Sequence, residues 1–197
     1  DITNNVLLSW NTANTLTFNA ARNVLGTGTI DMLTGGGTFV INQAGTSTYS
    51  GSIKGTGSFI KQGLGTLTLS GTTSNYTGTT TITNGTLKAG STSALGSTSL
   101  ISFANTADAV LDLNNNNLTV GNLSGGGALG GNIILGNKTL TFGANSSANS
   151  DYAGAISGAG EPTGSYNSSI VKASASTGIQ TLSGSNTFTG VVTINGG

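Results

Sequence analysis

The chain of 197 residues has no cysteine, no histidine and a single proline, Pro162. Without cysteine or histidine there is no disulfide, no thiolate nucleophile, no Cys/His metal site and no triad that depends on an imidazole base. Charge is also scarce. Six Lys and Arg stand against six Asp and Glu, together 6% of the chain, where an average soluble domain carries about 25%. Charges that cancel argue against a nucleic-acid partner held by phosphate neutralisation. No run approaches the roughly 18 apolar residues of a membrane-spanning helix, so membrane insertion of this segment is not expected. Helical signals are missing too, because Gly or Asn interrupts nearly every window of ten residues.

Gly (33), Thr (33), Ser (24) and Asn (22) take up most of the chain, so its surface is solvated by hydroxyls and amides. Disorder does not fit, because aliphatic residues recur in short alternating runs throughout. Examples are Thr15-Leu16-Thr17-Phe18, Thr38-Phe39-Val40-Ile41, Thr66-Leu67-Thr68-Leu69 and Thr139-Leu140-Thr141-Phe142. Period two puts Leu, Ile and Phe on one face of a strand and Thr on the other. Each run closes on turn residues such as Asn84-Gly85, Gly35-Gly36-Gly37 or Gly125-Gly126-Gly127, which tolerate the backbone of sharp corners.

The sequence also repeats itself. Tyr49-Ser50-Gly51-Ser52-Ile53 returns as Tyr152-Ala153-Gly154-Ala155-Ile156, 103 residues on. Phe59-Ile60-Lys61 returns as Ile170-Val171-Lys172, delayed by an insertion holding Glu161, Pro162 and Tyr166. Leu69-Ser70-Gly71 then matches Leu182-Ser183-Gly184, Tyr76-Thr77-Gly78 matches Phe188-Thr189-Gly190, and Ile82 matches Ile194. Two superrepeats result, about 1–95 and 96–197, within one segment. Corners every 5–9 residues and medium-sized apolar side chains favour a narrow solenoid over an antiparallel sandwich or a propeller. The expected fold is all-β, a right-handed parallel β-helix. With about 20 residues per coil and about 4.8 Å between stacked strands, roughly ten coils make a rod of about 50 Å. No signal peptide precedes Asp1 and the chain stops inside a recurring pattern, so it reads as a mature piece or fragment of a longer protein.

One stretch carries a family resemblance. Gly63-Leu64-Gly65-Thr66-Leu67-Thr68-Leu69-Ser70-Gly71, followed by Asn75-Tyr76-Thr77-Gly78 and Thr79 to Gly90, resembles the autotransporter-associated β-strand repeat of bacterial type V passenger domains. Leu111 to Gly125 and Tyr152 to Gly158 look like segments that accompany that repeat, and the likeness covers most of residues 46–197. The second copy departs from it where Ile179-Gln180 stands in place of Thr66-Leu67, putting Gln180 in a core-facing slot. The resemblance implies a passenger exported across the outer membrane, extracellular or on the bacterial cell surface, acting as a non-catalytic stalk with an adhesive or self-associating role. Its partners would be other copies of the chain, side by side or end to end, or glycans of a host surface. The family brings no catalytic residue to these positions, and no cofactor or metal is expected.

Chemistry outside the resemblance finds little support. A carbohydrate-active β-helix enzyme, the rival reading, needs clustered carboxylates, and the acids are Asp1, Asp31, Asp108, Asp112, Asp151 and Glu161. Asp108 and Asp112 are read as sharing a face of one strand, about 13 Å apart and too far for glycoside hydrolysis. No Gly-Gly-x-Gly-x-Asp array supports calcium binding, and no Gly-Lys-Ser/Thr follows the glycine triplets, which are therefore corners. Thr pairs (15/17, 27/29, 46/48, 66/68, 79/81, 139/141 and 187/189) raise the idea of an ice-binding plane, but their gaps do not keep one coil length. Tyr49, Tyr76, Tyr152 and Phe188 hold equivalent places and read as packing or corner caps rather than sugar platforms. Trp10 and Tyr166 are freer to be exposed, and residues 161–169 are the weak candidate for a binding loop. Residues 32–107 carry Lys54, Lys61 and Lys88 without an acid, while 108–161 carry four acids against Lys138. That asymmetry favours head-to-tail stacking through open solenoid ends into fibres, a second alternative.

Overall fold

A computed structural model describes residues 1–144, 146–158 and 168–197. All regular elements among the described residues are strands, most of two to four residues, and every strand pairing is parallel. Short alternating runs between Gly and Asn corners give this directly, because Thr and aliphatic residues fill the strands and the corners carry the left-handed backbone. Gly85, at φ 70°, and Gly63, at φ 73°, are such corners.

The strands stack into three columns. The broad face runs from Thr15–Ala20 through Thr38–Gln43, Ser58–Gln62, Thr80–Ile82, Ile101–Phe103, Leu123–Gly125 and Ser150–Tyr152 to Gln180–Leu182. The second face begins with Ile2–Thr3 and Val24–Leu25, which connect to Ser47–Tyr49 through a Gly26–Tyr49 bridge. It continues through Thr66–Leu69, Thr86–Ala89, Val110–Asp112 and Asn132–Ile134 to Ile156–Ser157. The third face holds Leu8–Ser9, Ile30–Asp31 and Ile53–Lys54 at one end, and Leu118–Thr119, Thr139–Phe142, Ser169–Lys172 and Val192–Ile194 at the other. Between them the chain stays in the column without regular strand, where Asn75 and Thr77 donate their N–H groups to the Ile53 and Gly55 carbonyls. Each coil visits the second, third and broad faces in that order.

The parallel β-solenoid expected from the repeat is therefore present, with about eight turns rather than ten. Register partners on the broad face lie 20–23 residues apart up to Leu123, then 27 and 30 residues apart (Gly125 to Tyr152, Ser150 to Gln180). The turns are longer than a 20-residue coil allows, the last two most of all.

The core is a thin axial stack in which each inward residue sits on its register partner. Phe18, Phe39 and Phe59 form an aromatic column with ring centroids 5.1 and 5.8 Å apart. Leu67, Leu87, Leu111, Ile133 and Ile156 continue the second face, all fully buried. Each such side chain contributes about 1.5–3 kcal/mol relative to exposure, which supports a fold almost free of buried ion pairs.

Candidate interaction surface

Outward residues of the strands form the long faces. On the broad face Thr17, Ile60, Thr81, Ser102 and Ser124 lie in one register row without a charge, together with Val40, which is buried. Charges on the other faces meet across coils. Lys88 and Asp112 are register partners with Nζ 3.1 Å from Oδ2, Asp31 stands opposite Lys54, and Arg22 reaches Asp1 at 3.2 Å. Lys54 and Lys88 each face an acid one coil away, and Lys61 is buried.

The acids are dispersed. Asp108 sits in a turn that the Ala109 N–H closes onto the Thr106 carbonyl, ahead of the strand Val110–Asp112. The expectation that Asp108 and Asp112 share one strand face is thus corrected: Asp108 belongs to the turn and only Asp112 to the strand. None of the register partners of Asp31, Asp112 or Asp151 is an acid. Among the described residues no three metal-ligating side chains gather. The Thr pairs divide among columns, with 15/17 on the broad face, 66/68 on the second and 139/141 on the third, so they build no single Thr plane.

Three of the four equivalent aromatics are corner caps. Tyr49 donates its hydroxyl to the Gly28 carbonyl and accepts from Asn4, and Tyr152 donates to the Gly131 carbonyl at 2.7 Å. The Tyr76 hydroxyl pairs with Thr80 Oγ1, which pairs with Ser99. Burial raises all three phenols above their ordinary value, Tyr76 to about 12. Phe188 packs half-buried against the core. Trp10 is half-buried and donates to the Asn14 carbonyl. Residues 161–167, with Glu161, Pro162 and Tyr166, lie outside the described residues. A groove of about 450 Å³ lies beside the glycine tab 127–130, walled by Leu129, Ala153 and Ser183.

Sequence reading missed the buried lysines. Lys61 is fully buried, and its Nζ donates to the carbonyls of Gln62 (2.8 Å), Gly63 (2.7 Å) and Asn84 (3.2 Å). Burial in the corner lowers its pKa to about 8. Its counterpart Lys172 donates to the carbonyls of Ser176 and Gly196. Parity was the available signal, because Lys61 lies two residues after Phe59 and so shares its inward face. Gln180 does take a slot facing the interior, and its amide explains how. Oε1 accepts from the Leu123 N–H at 2.9 Å while Nε2 donates to the Leu123 and Ser150 carbonyls, spanning two coils.

Against this geometry, comparison with known proteins is specific. Residues 59–89 and 175–197 match the passenger-associated-transport-repeat family. These segments are autotransporter passenger repeats. The first passenger repeat contains the buried Lys61, the capped Tyr76 and the Asn84-Gly85 corner, and the second contains Gln180 and Phe188. Over 198 residues the chain is 41% identical to the adhesin BmaC autotransporter of Brucella suis biovar 1 (strain 1330). That match takes in all of this chain and spans 5% of the relative's length. No solved structure matches the chain.

Proposed function

We propose that this chain is a stretch of the extracellular stalk of an adhesive autotransporter passenger, non-catalytic and displayed at the bacterial surface. The relative's name supplies the adhesive role. The observation that carries the reading is a continuous stacked rod whose outer faces bear hydroxyls, amides and locally paired charges. Such a surface binds through many weak hydrogen bonds, to another copy of the chain or to surface glycans, with little net charge to oppose approach. Beads coated with the purified chain are expected to bind epithelial cells or clump with one another, with little change between 0.05 and 0.5 M salt, conditions spanning Debye lengths of about 14 to 4 Å. Coated beads that neither bind nor clump, or that release on raising salt, would reject it.

End-to-end fibre formation is a second reading, favoured by one observation. The terminal coils expose Val6 and Leu7 at one end and Val191, Val192 and Ile194 at the other. A second copy stacked on the axis would cover them and continue the ladders. Electron microscopy of the purified chain separates the two, since short single rods at high concentration rule out the fibre.

A further inference from the structure

The repeated segments do not return to the same face of the rod. Tyr49 lies on the second face and its counterpart Tyr152 on the broad face; Ile53 lies on the third face and Ile156 on the second. Phe59 to Lys61 lie on the broad face, whereas Ile170 to Lys172 lie on the third. Leu69 passes from the second face to Leu182 on the broad face, and Ile82 from the broad face to Ile194 on the third. Even the loosely matching Thr38–Gln43 and Thr139–Phe142 follow the rule, broad to third. Every pair is separated by four full turns and two further faces.

That step is constant although the sequence offset is not. It is 103 residues at Tyr49 and Tyr152 but 111 at Phe59 and Ile170. The change of offset leaves the order of faces untouched. The repeat also carries its local chemistry with it. Tyr49 and Tyr152 each cap a glycine carbonyl one coil earlier, and Lys61 and Lys172 each bind backbone carbonyls of their own and the next coil. All three columns therefore offer equivalent slots, and nothing ties the motif to one of them.

We infer that the superrepeat is the unit of surface display and that each copy presents its outer residues one third of the circumference away from the copy before. Thr68 and Ser70 in one copy and Thr181 and Ser183 in the other, with the apolar Ile60 and Val171, are the same outer positions shown in two directions, Thr68 beside Lys88 and Thr181 beside Asp151. Repeated in tandem, the surface returns to its starting face after every third copy, or about 14 coils and about 67 Å of rod at the usual strand spacing. The partner that suits it carries many copies of one neutral group and is gripped from any side. This last consequence rests on the adhesive reading above; the rotation does not.

Paired cysteine substitutions in the full 197-residue chain test the rotation without background thiols. K88C/D112C, D112C/I134C and I134C/S157C place outward thiols on register partners along the second face, about 4.8 Å apart between strands and within disulfide reach. Together they carry the column of Thr68 and Lys88 in the first copy to Ser157, whose counterpart Lys54 lies on the third face. Had the second copy kept the faces of the first, Asp151, the counterpart of Thr48 on the second face, would lie over Ile134, so I134C/D151C is the opposing pair. After mild oxidation, peptide mapping is expected to show a disulfide in each of the first three pairs and free thiols in the opposing pair. A disulfide in the opposing pair, or free thiols in I134C/S157C with β circular dichroism like the parent's, overturns the inference. Should I134C/S157C misfold, I134C/D151C still separates the two arrangements. Failed adhesion with the expected linkage would reject the stalk's adhesive role and leave the rotation standing.

Discussion

Lys61 is a charge carried into the corner of the rod, where its partners among the described residues are backbone carbonyls. Burial holds its folded pKa near 8 against 10.5 in the open chain. Between those values the unfolded chain holds a proton that folded Lys61 has released, so stability is expected to rise with pH from about 8 to about 10, by up to about 3 kcal/mol. The tyrosines act in the opposite sense. Their folded pKa values lie above 10, so the stability they contribute is intact below pH 10 and is lost as pH rises towards about 12. Urea titrations across pH 7–11.5 should trace a rise followed by a fall, and Lys61→Met should remove the rise. At pH 7 that variant should also lose about 1–3 kcal/mol, because the Gln62, Gly63 and Asn84 carbonyls lose their donor. Close packing between coils predicts another loss. A Cβ at Gly51 or Gly154 would fall 1.8 or 2.0 Å from the carbonyl of Gly28 or Gly131. Gly154→Ala should therefore cost about 3 kcal/mol or more in urea midpoint, unlike Gly136→Ala, where the side chain meets nothing but a φ of 60°.

Among the elements, the strand Gln180–Leu182 shows how a broken pattern is repaired. The strand before it pairs with Leu123–Gly125 through Gly125 and Tyr152 alone, which leaves the Leu123 backbone short of ladder partners. Gln180 supplies them from two coils away. Gln180→Leu, which restores the alternation of the repeat, should therefore destabilise the chain by about 2 kcal/mol and speed exchange of the Leu123 amide, measured by mass spectrometry. Existence and direction of the strands were legible in the sequence, because alternating Thr and Leu have one reading once Gly and Asn close each run. Corner length was not, since a corner has no periodicity, and an eight-turn rod was counted as ten. The candidate surface was partly legible. Capping by Tyr49 and Tyr152 followed from their repeat position, but the placing of Lys54 opposite Asp31 and the ion pair of Lys88 with Asp112 depend on register between coils, which no local window contains. The turn at Asp108 was misread for a different reason: Val110 to Asp112 do form a strand, but the hydrogen bond from the Ala109 N–H to the Thr106 carbonyl places Asp108 in the turn before it.

At the scale of the whole rod, each coil touches only its neighbours, so damage should stay local. Leu111→Ala removes a fully buried side chain in the sixth coil and is expected to cost about 2–5 kcal/mol. Hydrogen exchange should quicken in the coils around residues 87, 111 and 133 while the aromatic column at Phe18, Phe39 and Phe59 stays protected. Uniform acceleration along the chain would show a single cooperative unit instead.

The tolerance of the face order for added chain has a further meaning. Between Tyr152 and Ile170 the second copy takes in eight more residues than the first has between Tyr49 and Phe59, yet no strand changes partner class. A lineage is thus free to graft a loop at a bend and test it against a new host without re-indexing the scaffold. Variation in such a molecule should accumulate at its edges while the flat sides keep time.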